Sequence, residues 1–209
     1  MDYNTFSKMN TFLEGYPKLS AIGYLNIANM LPIRYLLIPG FRDIPGVKTS
    51  LKRRIKKGNN KKLILSAVKK GVSGIVKHLL ESDADKEITD IFGRTPILQA
   101  VQKDFTIIVK LLLDAGANKE VKDEGGMTCL HWASNIDIVK LLLDTGANKN
   151  IKSNSGDTPL HFAAEYGNTD ITKILLNFGA DKNVVNNFGK TPLDLAIRER
   201  HTEIIDMLK

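Results

Sequence analysis

The sequence contains one cysteine, Cys129, and four histidines among its 209 residues. A single cysteine excludes an internal disulfide and leaves any metal site to scattered histidines. The patterns H-E-x-x-H and G-x-S-x-G and a glycine-rich phosphate loop are also missing. Because these absences remove the residues on which an enzyme depends, we expect no catalysis, no bound metal and no cofactor.

Acidic residues are missing from one long stretch. Between Ile44 and Leu80 there are eleven Lys or Arg residues and no Asp or Glu, so the net charge of +7 is local. The run KTSLKRRIKKGNNKK (48–62) has two interpretations. It contacts nucleic acid, anionic membrane or an import receptor, or it forms a solvated amphipathic helix with Leu51 and Ile55 facing inward. The lack of interleaved aromatic residues favours the helix.

Long hydrophobic runs are missing as well. The most apolar stretch, Leu19 to Leu37, is interrupted by Pro32 and Arg34. Asp2 stands where a signal peptide needs positive charge. The sequence therefore predicts neither a signal peptide nor a transmembrane helix.

Internal repetition is what the sequence does contain. Thr95, Thr128, Thr158 and Thr191 open similar segments at spacings of 33, 30 and 33 residues, and a fainter copy precedes them. We therefore predict an N-terminal segment, residues 1–61, which is partly helical and of unknown role. An array of five repeats follows at 62–94, 95–127, 128–157, 158–190 and 191–209.

Each repeat has the pattern of two helices and an exposed turn. The Thr residues are suited to cap the first helix, and Pro96, Pro159 and Pro192 follow at its first position. The second helix has apolar residues at helical spacing, such as Ile108 and Leu112. Glycines are placed to end the second helix and to form the turn before each Thr. The predicted fold class is all-α, a solenoid of helix-turn-helix units with β-turn loops.

The segments TPLHFAA (158–164), GAD (179–181) and GAN (116–118 and 146–148) resemble the ankyrin-repeat family. The resemblance covers about residues 62–209 and implies L-shaped units stacked into a curved array. It also implies a non-catalytic module that binds a protein of unknown identity on its concave face, and we expect this module to be monomeric. An electrostatic tether to nucleic acid or membrane through residues 48–62 remains the alternative. His131 and His161 occupy a family position where the imidazole is structural, bonding backbone and Thr hydroxyl groups.

The third repeat departs from the pattern because it is three residues short. Alignment places the gap after Ser134, which removes the counterparts of Glu165, Tyr166 and Gly167. A gap at the turn between helices leaves the register of the second helix intact. We therefore expect a clipped but working repeat, with Asn135 in the left-handed conformation and a notch beside Trp132.

Family positions on the turn tips and the exposed side of the first helices are the candidate partner-binding residues. Large exposed aromatic residues among them are the expected anchors. Trp132 and Phe162 are expected either to contact the partner or to pack partly buried. The candidates are Ile91, Phe92, Arg94, Gln102, Lys103, Glu124, Met127, Trp132, Asn154, Ser155, Asp157, Phe162, Glu165, Tyr166, Asn187, Phe188, Lys190, Arg198 and Glu199.

Two further expectations concern location and the exposed first repeat. The sequence favours a cytoplasmic protein or one delivered into a host cell, because its Lys, Asn and Ile usage suggests an AT-rich genome and similar ankyrin proteins of intracellular bacteria and viruses act on host proteins. Residues 19–60 are expected to pack against the first repeat, which otherwise exposes Leu63, Ile64 and Val76.

Overall fold

A computed structural model of the protein describes residues 63–209. Of the described residues, 63–80 and 85–209 form one compact unit. The predictions for residues 1–61, for the basic run 48–62 and for the packing of 19–60 lie outside the described residues. They stay predictions.

Five pairs of antiparallel helices make up the described part of the chain, which contains no strand. The first helix is shorter than the second in every pair except the last. The pairs are α1 (Leu63–Lys69) and α2 (Ser73–Glu81), α3 (Pro96–Gln102) and α4 (Thr106–Asp114), α5 (Cys129–Trp132) and α6 (Ile136–Asp144), α7 (Pro159–Glu165) and α8 (Thr169–Asn177), and α9 (Pro192–Glu199) and α10 (Thr202–Leu208). The all-α solenoid predicted from the sequence is confirmed.

Local sequence explains where the first helices begin. Thr95, Thr158 and Thr191 have extended backbone, and a proline follows at the first helical position. Proline fits there because its fixed φ suits the helix and the first amides have no helical partner. The turn before each of these threonines contains a glycine with positive φ, for example 79° at Gly156. The proline starts and the glycine turns are confirmed. Thr191 Oγ1 caps α9 by accepting from the Asp194 amide at 3.2 Å, but the Thr95 hydroxyl makes no bond to α3, so the capping predicted there is wrong.

The core forms where the first helices of neighbouring pairs pack against each other and the second helices do the same. First helices α1, α3, α5, α7 and α9 pack in sequence, and second helices α4, α6, α8 and α10 form a parallel row. Leu98, Leu112, Leu142 and Leu160 are fully buried between them. Burying each such side chain contributes about 1.5–3 kcal/mol. No helix could bury this surface alone, so the stability comes from the interfaces between neighbouring pairs.

Polar ladders also join adjacent pairs along the loops that follow the second helices. The amide of Asn148 donates to Glu120 Oε1 at 2.8 Å, and that of Asp181 donates to Asn150 Oδ1 at 2.9 Å. Lys152 Nζ donates to the carbonyl of Val185 at 3.0 Å. These bonds satisfy loop backbone that would otherwise be left without partners.

The third pair is clipped, as the sequence predicts, but its turn differs from the prediction. Helix α5 has four residues, whereas α3 and α7 have seven, and α6 keeps nine like α4 and α8. Asn135 is extended (φ −96°, ψ 128°), so the predicted left-handed conformation is wrong. With three residues fewer, the chain crosses to α6 as an extended segment. The Asn135 side chain instead caps α6, accepting from the Asp137 amide at 2.9 Å.

Candidate protein-interaction surface

Four turns precede α3, α5, α7 and α9, and together with the first helices they form a surface called here the inner face. The turns are residues 90–94, 123–127, 153–157 and 186–190. Each is closed by a hydrogen bond from its first amide to its last carbonyl, at 2.9 to 3.1 Å. This bond holds the two residues at each tip in place, and the tip residues Ile91 and Phe188 are 85% and 73% exposed.

Asparagine side chains connect the last three turns. The backbone amide of Asn154 donates to the Gly125 carbonyl at 3.1 Å, and its side-chain Nδ2 donates to the Glu124 carbonyl at 2.9 Å. Asn187 repeats the pattern, its Nδ2 donating to the Asn154 carbonyl at 3.0 Å. A Cβ at Gly126 would lie 2.6 Å from the Asn154 amide nitrogen, so this close approach requires glycine. These two candidate partner residues therefore use their amides within the array.

Two buried histidines connect their helices to the turns. His131 Nδ1 accepts from the Thr128 amide at 3.1 Å and contacts its hydroxyl at 3.0 Å, while Nε2 donates to the Asp157 carbonyl at 3.1 Å. His161 makes the same contacts with Thr158 and with the Lys190 carbonyl. Since Nδ1 accepts and Nε2 donates, both rings are neutral. Burial lowers the pKa of both imidazoles, and the structural role predicted for them is confirmed.

The same position differs in the second and fifth pairs. In the fifth, Asp194 replaces histidine, and its Oδ2 accepts from the amide and the hydroxyl of Thr191 at 2.8 and 2.7 Å. In the second pair this position is occupied by Leu98, whose side chain cannot form a hydrogen bond. The hydroxyl of Thr95 is consequently buried without a hydrogen-bond partner.

A cavity of about 340 Å³, called here the central notch, lies between α5 and α7. It is lined by Trp132, Ala133 and Ser134 on one side and by Pro159, Phe162 and Tyr166 on the other. It lies where the shortened repeat predicts a notch. The missing counterparts of Glu165 and Tyr166 explain its presence, because no side chain fills the end of α5.

The aromatic walls of the central notch are held in fixed positions. Trp132 Nε1 donates to Asp123 Oδ2 at 2.8 Å. Phe162 meets the His131 ring edge to face at 5.6 Å and stacks on Tyr166 at 6.3 Å. Trp132 and Tyr166 nevertheless remain 38% and 68% exposed, whereas Phe162 is half-buried. The notch is therefore a preformed aromatic surface open to solvent.

A second cavity of about 560 Å³, called here the N-terminal groove, lies between α1, α3 and the turn 90–94. Asp90 is one of its lining residues, and its Oδ2 accepts from Arg94 Nε and Gln99 Nε2 at 2.9 Å. Burial acts most strongly to raise the pKa of Asp90, but the hydrogen bonds and charge of Arg94 hold that pKa below its ordinary value. The Arg94 guanidinium lies 4.7 Å from the centre of the Phe92 ring.

Several lining residues of the N-terminal groove were missed by sequence reasoning, namely Leu65, Ser66, Lys69 and Gln99. Lys69 corresponds in register to Gln102, which was predicted. The signal for α1 was weak because its repeat has no Thr-Pro start to fix the register.

The inner face ends in a cluster of charges. Arg198 pairs with Glu165 across the neighbouring helices and with Glu199 at 2.7 Å. All three groups are substantially exposed, so their pairing adds little to stability. These three candidate partner residues are engaged with one another.

Every predicted partner-binding residue is at least partly accessible. Those of intermediate exposure are Arg94, Gln102, Met127, Asp157, Phe162 and Glu165, and the other candidates are exposed. All of them lie on the turns or the first helices, or directly after a first helix, as the sequence predicts. Whether they contact a partner stays a prediction.

Cys129 is the one thiol of the chain, and it is buried at the start of α5. Burial, with a smaller contribution from Glu120, raises its pKa to about 12. At neutral pH it is a thiol and not the thiolate that a nucleophile needs. Within residues 63–209, no cluster of His, Cys, Asp and Glu could hold a metal ion. No helix in that range is both long and apolar enough to cross a membrane.

Comparison with known protein families gave one result. The family model described as ankyrin repeats (3 copies) matches residues 64–153 and 135–209. The comparison with curated proteins gave no match.

Proposed function

The chain belongs to the ankyrin-repeat family, and from this premise we propose that it binds a protein partner across its inner face and performs no catalysis. Ankyrin repeats are generally protein–protein interaction modules and are typically non-catalytic. The proposal assigns this general role to a particular surface, which consists of the four turns and the first helices.

The observation that carries the proposal is the exposure of large aromatic side chains on that surface. Phe188, Tyr166 and Phe92 are 73%, 68% and 50% exposed. Burial of such side chains dominates the energetics of cores and interfaces. Large aromatic residues at exposed positions are frequent interface anchors.

The rigidity of the inner face supports the same proposal. The last three turns are connected by Asn154 and Asn187, and His131 and His161 fix the helices behind them. A surface held in its bound shape loses little conformational freedom on association.

Alanine substitution tests the proposal once a partner has been isolated with the wild-type protein. Tyr166→Ala and Phe188→Ala should each weaken binding by about 1–3 kcal/mol. Phe178→Ala is the matched control, because Phe178 is 40% exposed but follows the second helix α8. Far-UV circular dichroism and the melting temperature should be unchanged in all three. Unchanged affinity in the Tyr166→Ala/Phe188→Ala double variant would place the binding site elsewhere.

Salt dependence separates this proposal from the electrostatic tether. The eleven Lys and Arg residues between Ile44 and Leu80, with no acid among them, are the observation behind the alternative. A tether would lose affinity steeply with salt because binding releases counterions, whereas an aromatic interface would lose much less. Steep loss together with tolerance of Tyr166→Ala would favour the tether.

A further inference from the structure

We propose that the central notch receives one large apolar side chain from a partner segment whose neighbouring residues are Lys or Arg. This inference rests on the proposed function and names the chemistry of the partner at one point of the inner face. It depends on the shape of the notch, on the rigidity of its walls and on the charges around it.

The shape fits a single inserted side chain. The cavity of about 340 Å³ is bounded by the rings of Trp132, Phe162 and Tyr166. Water in such a space has few polar partners, so an apolar group gains by displacing it. The notch exists because the third pair lacks the residues that correspond to 165–167. It is therefore a property of this chain at one position and not of every pair.

The walls are already in place before anything binds. Asp123 fixes Trp132 through its indole nitrogen, and His131 fixes Phe162 edge to face. Ser134 is fixed at the rim by its hydroxyl, which donates to Asp104 Oδ1 at 3.3 Å. A preformed pocket selects its occupant by shape, because it cannot rearrange to fit another.

Carboxylates contact the walls of the notch, although the charge of Lys122 also acts on the lining residue His131. Asp104 and Asp123 each lie one hydrogen bond from a residue of the wall, and Glu124 follows Asp123 at the tip of the same turn. None of these three carboxylates forms an ion pair within the described part of the chain. No Lys or Arg lines the notch, whereas Lys69, Arg94 and Lys103 line the N-terminal groove. Complementary charge therefore favours a basic segment at the notch.

Selection from a library of random short peptides provides the test. Peptides are selected on the full-length wild-type protein and sequenced. The enriched sequences should share one Trp, Phe, Tyr, Leu or Met residue with Lys or Arg beside it. Enrichment of acidic sequences, or of sequences without an apolar residue, would overturn the proposal, and so would failure to enrich any binder.

Two variants fill the notch and test where the peptides bind. Inserting Glu-Tyr-Gly between Ser134 and Asn135 restores the length of the other repeats. Ser134→Trp places a large side chain in the notch from an exposed position. It replaces the insertion as the test if the insertion variant fails to fold. Either change should weaken the selected peptides by about 30-fold, the effect of losing a central anchor. Equal binding to wild type and Ser134→Trp would show that the notch is not used.

Charge is tested separately. The double variant Asp104→Asn/Glu124→Gln removes two acids near the notch, and Asn suits the left-handed backbone of residue 104, whose φ is 55°. Binding should weaken by about three- to tenfold at low salt and by less at high salt. Asp114→Asn/Asp144→Asn removes two exposed acids from the ends of second helices and should leave binding unchanged. Equal effects of the two double variants would contradict the local role of charge.

Phe188→Ala distinguishes failure of this inference from failure of the proposed function, since Phe188 is not part of the notch. Peptides that tolerate Ser134→Trp but lose affinity for Phe188→Ala would keep the inner face as the binding site and remove the notch from it. Peptides that tolerate both changes would contradict both proposals.

Discussion

The second and fourth helix pairs have the same backbone plan but hold their turns by different means. In the fourth pair, His161 joins Thr158 to the Lys190 carbonyl, so helix and turn are connected by hydrogen bonds. In the second pair, Leu98 occupies the same position and packs by apolar contact alone, fully buried. The hydroxyl of Thr95 is left without a partner, and so is Gln99 Oε1.

The turns show the same contrast. Asn154 and Asn187 join the last three turns, but Glu124 stands at the equivalent position of the second turn and has no side-chain amide to donate. Unpaired buried polar groups, which cost about 1–3 kcal/mol each, occur in both parts, since Ser153 Oγ and Thr172 Oγ1 also lack partners. The difference lies in the histidine and asparagine connections, which join the helices and turns of the later pairs. In an array whose stability is a sum of local terms, we therefore expect the first two pairs to open before the last three. The notch and the exposed Tyr166 and Phe188 lie in the better-connected part.

The largest expected effect comes from making the fourth pair resemble the second. His161→Leu removes the partner of the Thr158 amide and hydroxyl and of the Lys190 carbonyl, all next to the core. We expect the free energy of unfolding to fall by about 2–4 kcal/mol, measured by urea denaturation. The reverse change, Leu98→His, gives Thr95 a partner and should cost much less or add stability. Equal losses from the two changes would show that the histidine connection has no special value.

Thr158→Val and Thr95→Val form a matched pair that isolates one hydroxyl. Valine has the same shape as threonine, so packing is preserved in both variants. Thr158→Val should destabilise by about 1–2 kcal/mol because its hydroxyl contacts His161, whereas Thr95→Val should be neutral or stabilising. Melting temperatures measured side by side give the comparison. A larger loss at Thr95 would mean that its hydroxyl does have a partner in solution.

Removing an asparagine from a turn should have a smaller effect. Asn187→Ala deletes the bond from Nδ2 to the Asn154 carbonyl, and we expect a loss of about 1 kcal/mol. Glu124→Ala at the equivalent position should change stability by less than about 0.5 kcal/mol. Amide hydrogen exchange in the turns 153–157 and 186–190 should increase only in the first variant. Faster exchange in both would indicate that the turns are not connected independently.

The smallest expected effect is on the pH dependence of stability. Burial lowers the pKa of His131 and His161 from the ordinary 6.5, so below that pH the unfolded chain binds protons that the folded protein does not. Stability should be complete above pH 6.5 and fall as the pH drops towards the lowered values. Asp90 and Asp194, with lowered pKa values, lose their stabilisation only below the ordinary 3.8. Denaturation midpoints measured across the acid range should show part of the upper step disappear in His161→Leu.

The sequence by itself determined the features that depend on neighbours along the chain. Threonine followed by proline fixed the starts of α3, α7 and α9 because the extended backbone of the threonine and the first helical φ of the proline are local properties. Glycines fixed the turns, since few other residues accept positive φ. The apolar spacing around Ile108 and Leu112 fixed the buried side of α4. The position of the notch also followed from sequence, because three missing residues leave a known place unfilled.

Only the tertiary structure decided what depends on residues about thirty positions apart. The extended backbone of Asn135 follows from the distance that the clipped segment has to cover between α5 and α6. Asn154 bonds to the turn of the preceding repeat, a contact that no local pattern contains. The same holds for Lys69, which joins the N-terminal groove because α1 packs against α3. Local sequence sets the conformation of each unit, but the approach of neighbouring units decides which polar groups meet, and hence which remain free to bind.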